Sequence, residues 1–335
     1  MDWSMGFSSS YYATIVDPAT WRDIDRLEIT KGSVSRSATN SLRESADIDG
    51  LRVDISKEYW VRLWLNARQD GESVREALFT GLMICPKKSI NGQIVTLPME
   101  CYSVLKPADD VLLPRGYYVP AETNGANVVK QLLSVSPAPI VVENNSPLLV
   151  DAIIAENGES NLSMADKILS AMGWRLRISG DGTITVCPKA SESSIILGTN
   201  YDIVEPEVDV ERDWYDCPNV FRAVSDELYA IARDDSEDSL LSTVNRKREV
   251  WAEEMDCKLN DGEGIAEYAL RRLKELQSYG KTVSYSRRYV PGIVPGDIIT
   301  LNYPGIEDLA IDNYSIQSQS ISLDKGVTVN EEIAK

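Results

Sequence analysis

Apolar and polar positions alternate with a period of two through residues 59–66: Tyr59, Val61, Leu63 and Leu65 fall on one face, Trp60, Arg62, Trp64 and Asn66 on the other. Successive side chains of a strand point to opposite faces, so this period predicts a β-strand. Large residues on both faces predict a core on one side and a subunit interface on the other. Gln69-Asp70-Gly71-Glu72 reads as a turn, and residues 74–84 return as the partner strand. Gly81 inside that strand predicts a bulge or a corner, as a small barrel needs when it closes. Asn91-Gly92 signals a further hairpin into Ile94, Thr96, Met99 and Tyr102.

The pattern changes after Pro107, where Pro114, Pro120, Pro137 and Pro139 punctuate the chain and helical pieces fall between them. Ser146-Pro147 predicts an N-cap followed by Pro at the first helical position, ahead of Leu149, Ile153 and Ile154. Ser163 with Asp166 reads as a capping box that opens a helix with Ala165, Ile168, Leu169 and Met172 on one face, closed by Gly173. Trp174, Leu176 and Ile178 then alternate, Gly180-Asp181-Gly182 turns, and Ile184 and Val186 complete a hairpin.

Strand patterning returns at residues 219–224 and 228–232, joined by an acidic turn. Residues 263–279 form the clearest helix, with Ile265, Ala269, Leu273 and Leu276 on one stripe and Gly280 as its stop. Val283, Tyr285 and Tyr289 alternate after it. Two tight turns, Pro291-Gly292 and Pro295-Gly296-Asp297, precede a strand at residues 298–301, and residues 311–323 supply the closing strand or strands. The predicted fold class is α+β: two small antiparallel β-barrel domains, residues 1–109 and 201–335, with an inserted α+β domain at 110–200. The last domain carries one amphipathic helix.

Charge narrows the function. The 335-residue chain carries a net −18, which argues against a grip on nucleic-acid phosphates. Residues 1–110 hold 13 basic and 16 acidic side chains, residues 111–200 hold 6 and 8, and residues 201–335 hold 15 and 28, so −13 of the total lies in the last third. A solvated, solubilising surface and a field that repels DNA or attracts a basic partner both account for it. No apolar run is long enough for a membrane helix. The first six residues lack a basic region followed by an apolar one, so no signal peptide is expected and synthesis and folding are placed in a host cytoplasm.

Candidate chemistry is sparse. The sequence has no histidine, which removes the commonest general base and transition-metal ligand. Cys85, Cys101, Cys187, Cys217 and Cys257 are widely spaced, without a Cys-x-x-Cys pair, and are expected to be free, buried thiols. There is no Gly-x-Ser-x-Gly, no phosphate-binding loop, and no Gly-rich turn between a strand and a helix. The acidic runs at residues 234–238 and 256–263 lack the spacing of a calcium loop and read as solvated loops. A glycosidase carboxylate pair is not singled out by 52 acidic residues. The seven tryptophans, Trp3, Trp21, Trp60, Trp64, Trp174, Trp214 and Trp251, suit core or interface anchors, or platforms that stack on sugars. No enzyme is expected, and no catalytic, cofactor-binding or metal-binding residue is assigned.

The layout of the last third resembles that of phage tail baseplate hub, or tail-tip hub, proteins. The features that carry the likeness are the strand at 219–224, a second strand with an acidic Ser-containing loop, and the helix containing residues 266–273. Pro295-Gly296-Asp297 before a strand, and the final strands around 314–323, complete them. Residues 28–37 and 78–81 sit where such proteins have their first barrel. The resemblance implies a homotrimer whose two barrels per subunit make six around a channel. That ring would match the hexameric tail tube on one side and receive a tip on the other. Implied partners are a tail tube or distal tail protein, a tip, spike or fibre protein, and a tape measure protein. DNA would pass through without specific binding, no membrane is involved, and the location is the tail of a virion. The chain departs from longer relatives by ending at Lys335 without a peptidase, lysozyme or fibre extension, so no wall-degrading or receptor activity is expected within it. The alternative from another class is a carbohydrate-binding or glycan-degrading tail adhesin.

Overall fold

In a computed structural model of the chain, all residues are described except 4, 51–53, 55, 85–86, 93, 145, 194, 198–203, 213, 226–227, 256, 258–263, 278–280, 303–311 and 324–326. The described chain divides into two units: Met1–Val208 with Ser284–Ile333, and Asp209–Val283 with Ala334–Lys335. Among the described residues strand accounts for 49% and helix for 15%, so the fold is a mostly antiparallel α+β.

The first unit begins with β1 (Ser8–Asp17), β2 (Arg22–Leu27), β3 (Ile29–Ser37), β4 (Glu44–Gly50), β5 (Tyr59–Gln69), β6 (Glu72–Ile84), β7 (Ser89–Asn91) and β8 (Ile94–Ser103). The period-2 stretch is β5, and Val61, Leu63 and Leu65 are fully buried in a core shared with β1, β3, β4, β6 and β8. The bulge in the β5–β6 ladder is not at Gly81. Leu63 faces Phe79 and Trp64 faces Ala77, so Leu78 is the extra residue, and both Leu78 and Phe79 point into the core. Gly81 serves close approach instead. A Cβ there would lie 2.2 Å from the Tyr102 carbonyl oxygen and 2.5 Å from the Phe79 ring.

The next stretch, α1 (Lys106–Asp110), β9 (Tyr118–Val119), α2 (Gly125–Leu133), β10 (Ile140–Val142), β11 (Ile153–Ile154), α3 (Asn161–Met172), β12 (Trp174–Ile178) and β13 (Ile184–Pro188), forms a second layer. Its sheet order is β10-β13-β12, and Val129, Leu133, Leu162, Ile168 and Ile184 lie in one core with α2 and α3. The helix expected after Ser146-Pro147 does not form; that stretch carries a bridge from Leu148 to Asn124 and then β11. Ser146 does sit at a helix start, but that of α2, where its Oγ accepts from Ala126 N at 3.4 Å beside the Asn124 cap. The N-cap of α3 is Ser160, three residues before the expected Ser163; its side chain accepts from Ser163 N. Gly173 closes α3 in the left-handed region, as expected.

β14 (Ile195–Leu197) and β15 (Val204–Arg212) follow, and β15 leads into the second unit. There β16 (Val220–Ser225), β17 (Leu228–Arg233), α4 (Thr243–Arg246), β18 (Trp251–Glu254) and α5 (Ile265–Gln277) build a β17-β16-β18 sheet with α5 against one face. Tyr268, Ala269 and Leu273 of α5 are buried, flanked by Ile265 and Leu276, so the expected stripe is the packed one. β19 (Lys281–Arg288), β20 (Ile298–Leu301), β21 (Asp312–Ser322) and β22 (Thr328–Ala334) complete the chain. They do not stand apart from the N-terminal strands: the first unit's sheet runs β19-β22-β21-β3-β4-β8-β6-β5-β1-β2, with β21 antiparallel to β3 through Ile321 opposite Val34. Ile321, Leu323 and Val329 consequently share the N-terminal core.

Candidate functional site

The outward face of β5 is where the sequence pattern placed a subunit interface. The chain itself covers that face. Arg62 donates to Asp23 Oδ1 at 2.8 Å, to Thr80 Oγ1 at 3.0 Å and to the Asp181 carbonyl at 3.1 Å. Trp60 packs on the core of the α+β layer and meets Trp21 at 5.5 Å between ring centroids. Trp64 lies under the Arg75 guanidinium, 3.5 Å from the ring centroid, and donates to Thr14 Oγ1. The turn at 180–182 docks on β6: Gly180 is so close that a Cβ would fall 1.7 Å from the Ala77 carbonyl oxygen, and Thr80 Oγ1 donates to the Gly180 carbonyl at 2.8 Å. The Asp181 carboxyl is held below its usual range. Its partial burial opposes this, but hydrogen bonds from Ser179 and Thr183, with the Arg62 charge, outweigh it.

Four of the other tryptophans divide by environment. Trp174 is buried, and Trp3 packs edge-on against Phe7 and Tyr289. Trp214 and Trp251 are half exposed, at 48% and 51%, and are the indoles available to an outside surface. Of the cysteines, Cys101, Cys187 and Cys257 are free and buried, Cys217 is free and partly buried, and Cys85 lies outside the described residues. Burial pushes the Cys187 thiol up. Among the described residues no group of three or more His, Cys, Asp or Glu side chains is placed to hold a metal. Asp234 and Asp235 of the acidic run accept hydrogen bonds from Ser239 and Thr243 and so pin their own loop. The run at 256–263 lies largely outside the described residues.

A cleft of about 510 Å³ opens between the first unit's main sheet and its α+β layer. Five cationic side chains line it, Arg36, Arg43, Arg175, Arg177 and Lys189, against two carboxylates, Glu44 and Asp166. Trp174, Leu176, Val294 and Pro295 give it apolar walls. Arg175 and Arg177 alternate along β12, opposite in direction to the buried Trp174, Leu176 and Ile178, and both reach Asp297, at 2.6 and 3.3 Å. Arg43 pairs with Asp166 at 2.7 Å. Arg36 and Glu44 face each other across the β3–β4 ladder, both buried, with 3.5 Å between Nε and Oε2. Arg36 Nε, Glu44 Oε1 and Arg175 Nε are buried without a hydrogen-bond partner. Burial pushes the Glu44 carboxyl up to about 8, against the opposing Arg36 charge.

A second buried ion pair is better satisfied, although Gln319 Oε1 beside it has no hydrogen-bond partner. Glu331 takes Arg287 bidentately at 2.8 and 2.9 Å, the Gln319 amide at 2.6 Å and the Tyr285 hydroxyl. Its carboxyl is held low despite burial, because Arg287 and the hydrogen bonds outweigh the cost of desolvation. None of the cleft's five cationic side chains was singled out as a site residue by the sequence. Its available signal was the Arg-x-Arg alternation in β12; nothing in one dimension brings residues 36, 44, 175 and 297 together.

No protein-family pattern matches the sequence, and no curated protein matches it. Solved structures do match. A 43 kDa tail protein of prophage MuSo2 from Shewanella oneidensis aligns over 97% of this chain and 98% of its own, at a TM-score of 0.64 and 14% identity. A tail protein from Neisseria meningitidis MC58 aligns over 97% of both chains, at 0.65 and 14%. The chain shares the fold of these two tail proteins. A Francisella PdpA–VgrG complex matches 98% of this chain but 58% of that one, at 0.59 and 8% identity, so the same fold forms part of a larger protein there.

Proposed function

We propose that this protein is a structural baseplate hub or tail-tip protein of a phage or phage-like tail, acting by assembly rather than catalysis. The observation that carries the reading is end-to-end agreement of fold, over 97% of each chain, with a tail protein from Neisseria meningitidis. In this reading the protein forms a homotrimer in which two barrel-like β regions per subunit, drawn from 1–109 and 201–335, build a six-part ring. The segment 110–200 is the insertion outside it. The ring joins a hexameric tail tube or distal tail protein to a tip, spike or fibre protein. A tape measure protein and DNA occupy its channel, and DNA passes without specific binding. The half-exposed Trp214 and Trp251 support an assembly surface, since aromatic side chains concentrate at interface centres. The two-sided pattern of β5 no longer does, because its second face is filled within the chain.

The test is the copy number in assembled particles, from imaging of tails and native mass spectrometry of the hub they release. Three copies are expected, and a dimer would overturn the ring. A monomer of the isolated chain is compatible, since mass action with tail neighbours sets assembly.

A further inference from the structure

We propose that the cationic cleft of the first unit docks an acidic peptide segment of a neighbouring protein, its carboxylate held by the cationic side chains that line the cleft. Polar atoms buried without partners forfeit their hydration, and charged ones lose most, so an isolated fold has reason to satisfy them. The Arg287–Glu331 pair does so within the chain, while Arg36, Glu44 and Arg175 leave three such atoms beside an open cleft. The mixture of free groups selects the ligand. Two guanidinium donors call for an acceptor anion, and Glu44 Oε1 calls for a donor when ionised and an acceptor when protonated, both of which a peptide group supplies. The volume falls within the roughly 300–1,000 Å³ of pockets that enclose drug-sized ligands, and the Trp174 and Pro295 walls suit apolar neighbours of the acid. Charge agrees: a cationic surplus is kept here on a chain of net −18.

The tail reading enters only in naming a neighbouring protein as the source. The probe is the blocked tripeptide acetyl-Leu-Glu-Leu-amide with its Gln counterpart and free succinate as controls, followed by NMR of the Trp174 indole in the purified full chain. The indole resonance is assigned with Trp174→Phe. The glutamate peptide is expected to shift it and to bind at least about fivefold more tightly than the other two, as charge-assisted bonds require. Lys189 is exposed and makes no ion pair among the described residues, so Lys189→Glu leaves the fold alone. It should weaken binding about threefold, the scale of one exposed charge, while Lys130→Glu on α2 should not. Equal binding of the glutamine peptide or of succinate overturns the proposal, as does no shift at millimolar peptide. Copy number in tails reads the ring and peptide binding reads the cleft, so either can fail alone.

Discussion

Glu44 and Glu331 are buried equally well and each faces an arginine, yet burial raises one carboxyl and the partners of the other hold it low. The partners decide it: Glu331 has the Arg287 charge at 2.8 Å and accepts four hydrogen bonds, whereas Glu44 stands 3.5 Å from Arg36 and its Oε1 accepts none. Linkage gives the consequence its sign. Between the unfolded value near 4.5 and the folded value of about 8, the folded chain holds a proton that the unfolded chain has lost. Stability therefore falls as pH rises through that window, by at most ~1.4 kcal/mol per unit, and levels off above it. Glu44→Gln removes the titration. Its melting temperature relative to wild type is expected to rise between pH 5 and pH 8 by roughly 2–4 °C or more; a constant difference in paired thermal scans would show that Glu44 stays ionised throughout. Gly180 is a second position where one residue governs a contact. Gly180→Ala should cost more than about 2 kcal/mol in chemical unfolding, because backbone lies where the methyl would go, while Gly6→Ala, with open space around it, should stay within about 0.5.

Helix ends show how local chemistry reads at the scale of an element. Serine before a helix was legible, but which helix each serine serves was not. Ser146 assists α2 from 20 residues away, and the pattern around Ser163 hid a cap one turn earlier at Ser160. Ser160→Ala is expected to destabilise the first unit by about 1 kcal/mol, and Ser160→Asn, which also accepts from the first turn, to restore most of it. Equal loss in both variants, measured by denaturant midpoint, would mean that the cap contributes nothing. The hairpins and α5 were legible because period and turn residues are local: β5–β6, β12–β13 and the Ile265–Leu276 stripe stand where the pattern put them. Close approach is not local. Gly81 looked like a bulge because a glycine that admits a neighbouring carbonyl and a glycine that bends a strand leave the same mark in one dimension.

For the whole molecule, length and alternation indicated an α+β protein but not that the last strands complete the first core, since pairing such as Ile321 with Val34 joins residues nearly 300 positions apart. Charge is the property that still connects sequence to assembly. Part of the acidity of the last third is strand-borne: Glu207, Asp209 and Glu211 alternate along β15 with Val208 and Val210, so they share one face, and all three are exposed. In the proposed ring, a channel that carries DNA must not hold it, and a face of fixed carboxylates repels a polymer with a charge every ~1.7 Å. Loop acids such as Asp234 and Asp235 are poorer candidates, because Ser239, Thr243 and Gln277 engage them in holding their own loop. Replacing Glu207, Asp209 and Glu211 together by Lys changes the charge by six without touching a buried side chain. Assembly should therefore proceed at normal yield. Genome ejection should slow, and slow further at low salt, where the screening length grows from about 8 to about 30 Å. Ejection kinetics at two ionic strengths check this directly. Wild-type rates in fully assembled triple-Lys tails would place these acids on the outside of the ring, where their role is solubility.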